Sequence, residues 1–330
     1  MVLVIVIILA IGIGAVPVSA KAVLGIIADK LGSTIGLGHL SHSFWSRAQE
    51  TIVWQMRFPR VLLAGLVGAG LALVGTVLQA VTRNPLADPH LMGISSGGAF
   101  GAILALLHTG LFIGLATVPL MAFLGALGAM LLVLAVTQFA AATSADRLVL
   151  AGVAVSFIVL SGANILIFLG DPRATHTVVF WMLGGLGLAQ WDQLVAPAVI
   201  LTGAAIWLRF HAGDLNAMTL GDETAATLGI PVVRFRLEVF VASALVTGVM
   251  VAFSGIIGFV GLMVPHIIRM AAGGDHRRVI PLSLLYGAIF LILCDVLARV
   301  IMAPEDMPIG IVTGLTGGLF FVWMLRRRQA

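Results

Sequence analysis

Ten apolar runs occupy most of this 330-residue chain, at residues 2–20, 59–81, 91–108, 112–140, 148–169, 191–209, 236–256, 257–272, 279–302 and 308–325. A helix needs about 20 apolar residues to cross a bilayer. In hydrocarbon every backbone polar group must be satisfied within the protein, so only helices and closed barrels span. Continuous runs without two-residue alternation select helices. Charged residues make up 10% of the chain, against roughly 25% in a soluble domain, and the mean hydropathy is +1.14. Lipid is therefore the main solvent. The expected fold is an all-α polytopic membrane protein, one transmembrane domain over 1–330 with ten transmembrane helices. The eighth run follows the seventh with almost no break. The first ends in Val18-Ser19-Ala20, like a signal-peptide cleavage site, but lacks a basic leader and reads as a first helix.

Lys and Arg set the orientation. With the N-terminus inside, the cytoplasmic set is Arg83, Arg147, Arg209, Arg234, Arg236, Arg269, Arg277, Arg278 and Arg326 to Arg328. The outer set is smaller: Lys21, Lys30, Arg47, Arg57, Arg60 and Arg173. Both termini are expected in the cytoplasm. The net charge of +4 is thus a topology signal rather than a nucleic-acid footprint. Glycines recur every four residues at Gly93, Gly97, Gly101 and at Gly310, Gly314, Gly318, the spacing that lets helix backbones approach closely in lipid. Arg57-Phe58-Pro59-Arg60 opens a glycine-rich run outside, and Arg234-Phe235-Arg236 opens another inside. Five runs lie from one to the other, which is the arrangement of inverted five-helix halves seen in many transporters.

Three constellations stand out. In the longest inner loop, Asp222 and Glu223 suit the first turn of a short helix, Ala225, Ala226 and Leu228 continue it, Gly229 fits its C-cap and Pro231 stops it. A stiff helix around 221–229 points to docking of a cytoplasmic partner. The link Arg83-Asn84-Pro85-Leu86-Ala87-Asp88-Pro89-His90, with two prolines favouring extended backbone, leads into Gly93-Ile94-Ser95-Ser96-Gly97. Outside, Arg57 and Arg60 flank the second run, and Arg299 lies one turn after Asp295, close enough to pair. Such arginines fit lipid headgroups or an acidic partner. The single Cys294 excludes an intrachain disulfide and a Cys-based metal site. His108, His176 and His266 read as structural, since no His-Glu or His-His spacing suggests a metal. No phosphate-binding Gly-x-x-x-x-Gly-Lys-Ser/Thr loop is present, so the chain does not bind ATP through one. Acidic relays at mid-membrane are missing too, which argues against an ion-driven secondary transporter.

These residues resemble the permeases of ABC importers for ferric siderophores, haem and cobalamin. The matching stretches run from Arg57-Phe-Pro-Arg60 through Gln79–Gly98, Phe180–Gly184, Leu220–Gly229, Gly258–Arg269 and Asp295–Arg299 to Pro308–Thr313. The resemblance implies a homodimer in a bacterial inner membrane, with two cytoplasmic ATPase subunits that carry the ATP and Mg, and a periplasmic binding protein. This chain would then be a non-catalytic subunit that binds no cofactor of its own. It also implies that the helix at Asp222, Glu223, Ala225, Leu228 and Gly229 couples to the ATPase, and that Arg57, Arg60 and Arg299 receive the binding protein. Asn84, Pro85, Gly93, Ser95, Ser96 and Gly97 are the expected pathway and gating residues. The expected cargo is an iron chelate, with His90 and His176 tilting the choice toward haem; cobalamin is the alternative.

Overall fold

The computed structural model describes residues 1–34, 44–89, 93–139 and 145–327. In chain order its helices are α1 (Val2–Gly12), α2 (Ala20–Thr34), α3 (Arg47–Thr51), α4 (Phe58–Thr82), α5 (Ile94–Leu104), α6 (Thr117–Phe139), α7 (Ala145–Leu169) and α8 (Thr175–Met182). They continue with α9 (Val195–Phe210), α10 (Ala212–Thr219), α11 (Asp222–Thr227), α12 (Val232–Ser254), α13 (Val260–Ala272), α14 (His276–Val300) and α15 (Ile309–Arg327). Among the described residues, seven helical segments are long and apolar enough to cross a membrane, and three more, at Val2–Gly12, Ile94–Thr109 and Val260–Ala272, are shorter. Every expected run thus holds an apolar helix, but only seven reach spanning length. His90 and Arg328 lie outside the described residues.

α4 is the core. It continues α3 through a π-helical turn at Ile52–Arg57, giving an unbroken segment of 36 residues of which the most apolar window is 83% buried. A capping box between Ser46 and Gln49 starts the segment. The widened π turn lies just where the Pro59 ring would otherwise press on the carbonyl four residues earlier. α14 runs antiparallel beside α4. At their crossing a Cβ on Gly68 would stand 2.2 Å from the Gly287 oxygen, and one on Gly287 would stand 2.4 Å from that of Gly68. Two backbones in such contact gain dispersion along their length, the main source of helix association in lipid. Thr76 Oγ1 also donates to Ser283 Oγ across this seam at 3.0 Å.

α5 packs on α6 in the same manner, with a Cβ on Gly97 falling 2.3 Å from the Gly125 oxygen and one on Gly101 falling 1.9 Å from that of Met121. The α15 ridge behaves differently: among the described residues nothing from another element lies within 4 Å of a Cβ built on Gly314 or Gly318. The seventh and eighth runs separate at Gly255 (φ 67°) and Phe259 (φ 69°). Gly255 is sterically required, because a Cβ there would meet the Trp181 oxygen at 2.2 Å.

The expected single span over 2–20 is corrected: α1 stops at Gly12, and α2 begins at Ala20 after a non-helical link containing Gly14 and Pro17. Helices α2, α8 and α10 were not expected. They are short and of mixed polarity, so packing rather than periodicity decides them.

Candidate functional site

The candidate residues collect at the two ends of α4, which at 25 residues and 1.5 Å per residue are about 37 Å apart. The N-terminal end is built on the break in α1. A helix that stops in an apolar setting leaves its last carbonyls without partners. Here two arginines supply the donors. Arg57 Nη1 donates to Ile11 O at 3.0 Å and Gly12 O at 3.2 Å, and its Nη2 donates to Val16 O at 2.7 Å. Arg299 Nη1 donates to Ile13 O at 2.9 Å and its Nη2 to Ala10 O at 3.1 Å. Both residues are buried, at 8% and 6% exposure. The sequence leaves open why so many arginines lie outside; capping of α1 accounts for these two.

Asp295, fully buried, joins this cluster to Arg60. Arg60 Nε lies 2.8 Å from Asp295 Oδ1, and Arg299 Nε lies 3.0 Å from Asp295 Oδ2, the i,i+4 pairing the sequence indicates. Arg60 also pairs with Asp306, a residue that sequence reasoning missed because 246 positions separate the two. Arg60 and Arg299 thus share Asp295 and Asp306, while Arg57 bonds to backbone carbonyls, so the three arginines outnumber these two carboxylates by one positive charge. Nearby, α15 is anchored by Ile309 N–H to Gly184 O and Gly310 N–H to Leu183 O, both at 3.0 Å. Gly184, at φ 79°, closes the Phe180–Gly184 stretch.

The C-terminal end of α4 carries α11. Asp222 and Glu223 occupy its first turn. Its C-terminus closes as the sequence indicates, with Gly229 at φ 85°, Gly229 N–H donating to Ala226 O and Ile230 N–H to Ala225 O. That pair of bonds is a Schellman closure. Ala225 is fully buried and anchors the helix, while Glu223, Ala226, Thr227 and Leu228 are exposed. Leu220 and Leu228 stand out at 69% and 64% exposure. Asp222 turns inward instead: Arg236 Nη2 reaches its two oxygens at 2.7 and 2.8 Å, and Arg83 Nη2 lies 3.6 Å away. Arg236 is 2% exposed and also reaches Val81 O at the end of α4. The short helix is therefore tied to both α4 and α12.

α10 is tied as firmly. Asn216 Nδ2 donates to Asp275 Oδ1 at 2.8 Å, and its Oδ1 accepts from the His276 backbone N–H at 2.9 Å and the ring Nδ1 at 2.8 Å. Hydrogen bonds from Asn216 and from the Arg277 amide hold the Asp275 carboxyl below the ordinary carboxylate range.

The whole chain from residue 2 to 327 matches the model of the FecCD transport family. The chain belongs to the FecCD transport family. It is an ABC-transporter permease, the membrane component rather than the ATPase. The haemin transport permease HmuU of Yersinia pestis is 38% identical over 309 residues, covering 91% of this chain and 92% of that protein. The vitamin B12 import permease BtuC of Citrobacter koseri is 37% identical over 315 residues, covering 94% of each. A solved inward-facing structure of a metal-chelate type ABC transporter superposes with TM-score 0.79 at 31% identity, over 94% of this chain and all of that one.

In this FecCD permease the link after α4 forms a tight turn, as its residues read alone indicate. Arg83 takes a left-handed conformation (φ 51°) to cap α4, and Ala87 N–H closes a β-turn on Asn84 O with Pro85 at its second position. Leu86 N–H bonds to Asn84 Oδ1 at 2.9 Å. Gly93 (φ 78°) then starts α5, where Ser96 Oγ donates to Gly93 O. Ser95, Ser96 and Gly97 are buried against neighbouring helices. His176 is exposed on α8, and His108 bonds to Leu166 O at 3.0 Å.

Proposed function

We propose that this FecCD permease works as a homodimer in a bacterial inner membrane, importing an iron chelate with energy from two cytoplasmic ATPase subunits. The observation that carries the reading is α11. It is a helix held rigidly by Asp222 and Ala225 while Leu220, Glu223 and Leu228 project outward, the form expected of an apolar knob that fits a partner's cleft. Force applied to it passes through Arg236 and Arg83 to α4, and α4 ends at the outer arginines. There a periplasmic binding protein would dock, with Arg60 the contact residue and Arg57 and Arg299 shaping the platform through α1. The surplus positive charge suits acidic side chains. Support for a second copy comes from Gly314 and Gly318, a close-approach ridge with no partner among the described residues. Gly93 is the proposed pivot between the Asn84–Pro85 turn and the Ser95-Ser96-Gly97 segment. Both termini are taken as cytoplasmic on charge.

The cargo reading rests on HmuU and BtuC being matched about equally well, with His176 favouring haem. The test is uptake in proteoliposomes holding the permease and its co-encoded ATPase and binding protein, offered haem, a ferric siderophore and cobalamin in turn. Uptake of an iron chelate only with ATP is expected. ATP-driven uptake of cobalamin alone would replace the cargo, and uptake that follows an ion gradient without ATP would overturn the importer reading. Leu228→Asp should leave ATPase activity but lose transport.

A further inference from the structure

Beside α11 lies a second feature, a cavity at the C-terminal end of α4. The cavity, of about 330 Å³, is lined by Gln79 and Arg83 of α4, Thr219 of α10, Arg269 of α13, and Gly274 and His276 of the α13–α14 turn. No carboxylate lines it. A guanidinium has five N–H donors, and in Arg269 only Nη2 has a partner, the Oε1 of Gln79. Gln79 is itself fixed by donating to Gly261 O at 2.9 Å. Among the described residues Arg269 has no ion-pair partner, although it is half-buried. Arg83 is held only by Asp222 at 3.6 Å, the longest ion pair among the described residues. His276 is 2% exposed; its Nδ1 is held by Asn216, and its Nε2 has no partner among the described residues.

Arg269, half-buried with spare donors, and Arg83, half-exposed with one long ion pair, line one cavity whose volume is ample for an anion. We propose that this cavity binds an oxyanion of phosphate type through Arg83 and Arg269, with Arg269 the principal contact. Such an anion competes with Asp222 for Arg83, so its occupancy loosens one of the two ties on α11. The phosphate group can be free inorganic phosphate or belong to an anionic lipid headgroup. The binding claim stands on the cavity and does not depend on the importer reading.

The test uses the purified full-length chain in nanodiscs of neutral phosphatidylcholine, titrated with inorganic phosphate in a calorimeter at constant ionic strength set by chloride. One saturable site per chain is expected. Charge-assisted hydrogen bonds are worth enough that Arg269→Gln should weaken it about tenfold or more. Arg269→Lys, which keeps the charge but loses the fork, should fall between and covers the case in which Gln impairs folding. Arg234→Gln removes a charge from the same face but not from the cavity, and should leave affinity unchanged. Repeating the titration with phosphatidylglycerol in the nanodisc distinguishes the sources: suppression of phosphate binding points to a headgroup, and unchanged binding to the free ion. No saturable phosphate binding, or equal weakening by Arg234→Gln and Arg269→Gln, overturns the proposal.

Discussion

Replacing Asp222 with Asn tests how α11 is held. The carboxylate contacts Arg236 Nη2 at 2.7 and 2.8 Å, with Arg236 buried at 2% and Asp222 exposed at 40% on their side chains. Breaking a fully buried pair costs about 3–5 kcal/mol, while an exposed pair is worth about 0–1 kcal/mol. With one end dry and the other partly wet, about 1–3 kcal/mol is the reasonable loss, equivalent to a shift of roughly 5–150-fold in the ratio of anchored to released helix. Hydrogen exchange reads this directly at the Ala225, Leu228 and Ile230 amides, whose bonds close α11. In Asp222→Asn these amides should exchange faster by that factor, while the α4 amides stay protected. In Arg83→Gln, which removes only the 3.6 Å contact, the acceleration should be smaller. Unchanged protection in Asp222→Asn would show that α11 is held by its apolar anchor Ala225 and not by the ion pair, and an equal effect from Arg83→Gln would show that the 3.6 Å contact matters as much as the buried one.

Other outcomes follow from the same geometry. Gly68→Val places atoms where a Cβ already meets the Gly287 oxygen at 2.2 Å; overpacking of this kind costs about 1–3 kcal/mol, read as a lower unfolding temperature in detergent. Arg60→Gln takes one of two cations from fully buried Asp295 and should destabilise by about 3 kcal/mol. Asp306→Asn, on a side chain 38% exposed, should cost under about 1 kcal/mol; equal losses would refute the burial argument. The depressed carboxyl of Asp275 contributes stability that is present above its unfolded value, near 4, and is lost as pH falls through the lower folded value. Asn216→Ala should move that loss to higher pH, followed by exchange at the Arg277 amide.

Local chemistry made part of this readable in advance. The closure of α11 by Gly229, the stop at Pro231 and the Asp295–Arg299 pair all depend on residues within one or two turns of each other, and all appear in the structure. The long partners did not. Nothing near Arg57 or Arg299 in sequence indicates that they cap α1, whose last turn lies 45 and 286 positions away. Asp306 and Arg236 were likewise missed as partners of Arg60 and Asp222. The first run read as a single span because hydropathy averages over Gly12, Gly14 and Pro17, while the break is tolerable only because distant guanidiniums reach its carbonyls.

The sequence alone determined that the chain lives in lipid, where most of its apolar helices fall and that a short helix forms near 222–227, because solvent preference and capping are properties of neighbouring residues. It did not determine which helix is the core. α4 and α6 share a mean hydropathy of 2.4, yet their apolar windows are 83% and 28% buried. Lipid and protein interior are equally apolar, so hydropathy cannot distinguish a helix facing one from a helix facing the other. Only tertiary packing, through glycine contacts such as Gly68 on Gly287 and buried ion pairs between distant segments, decides that.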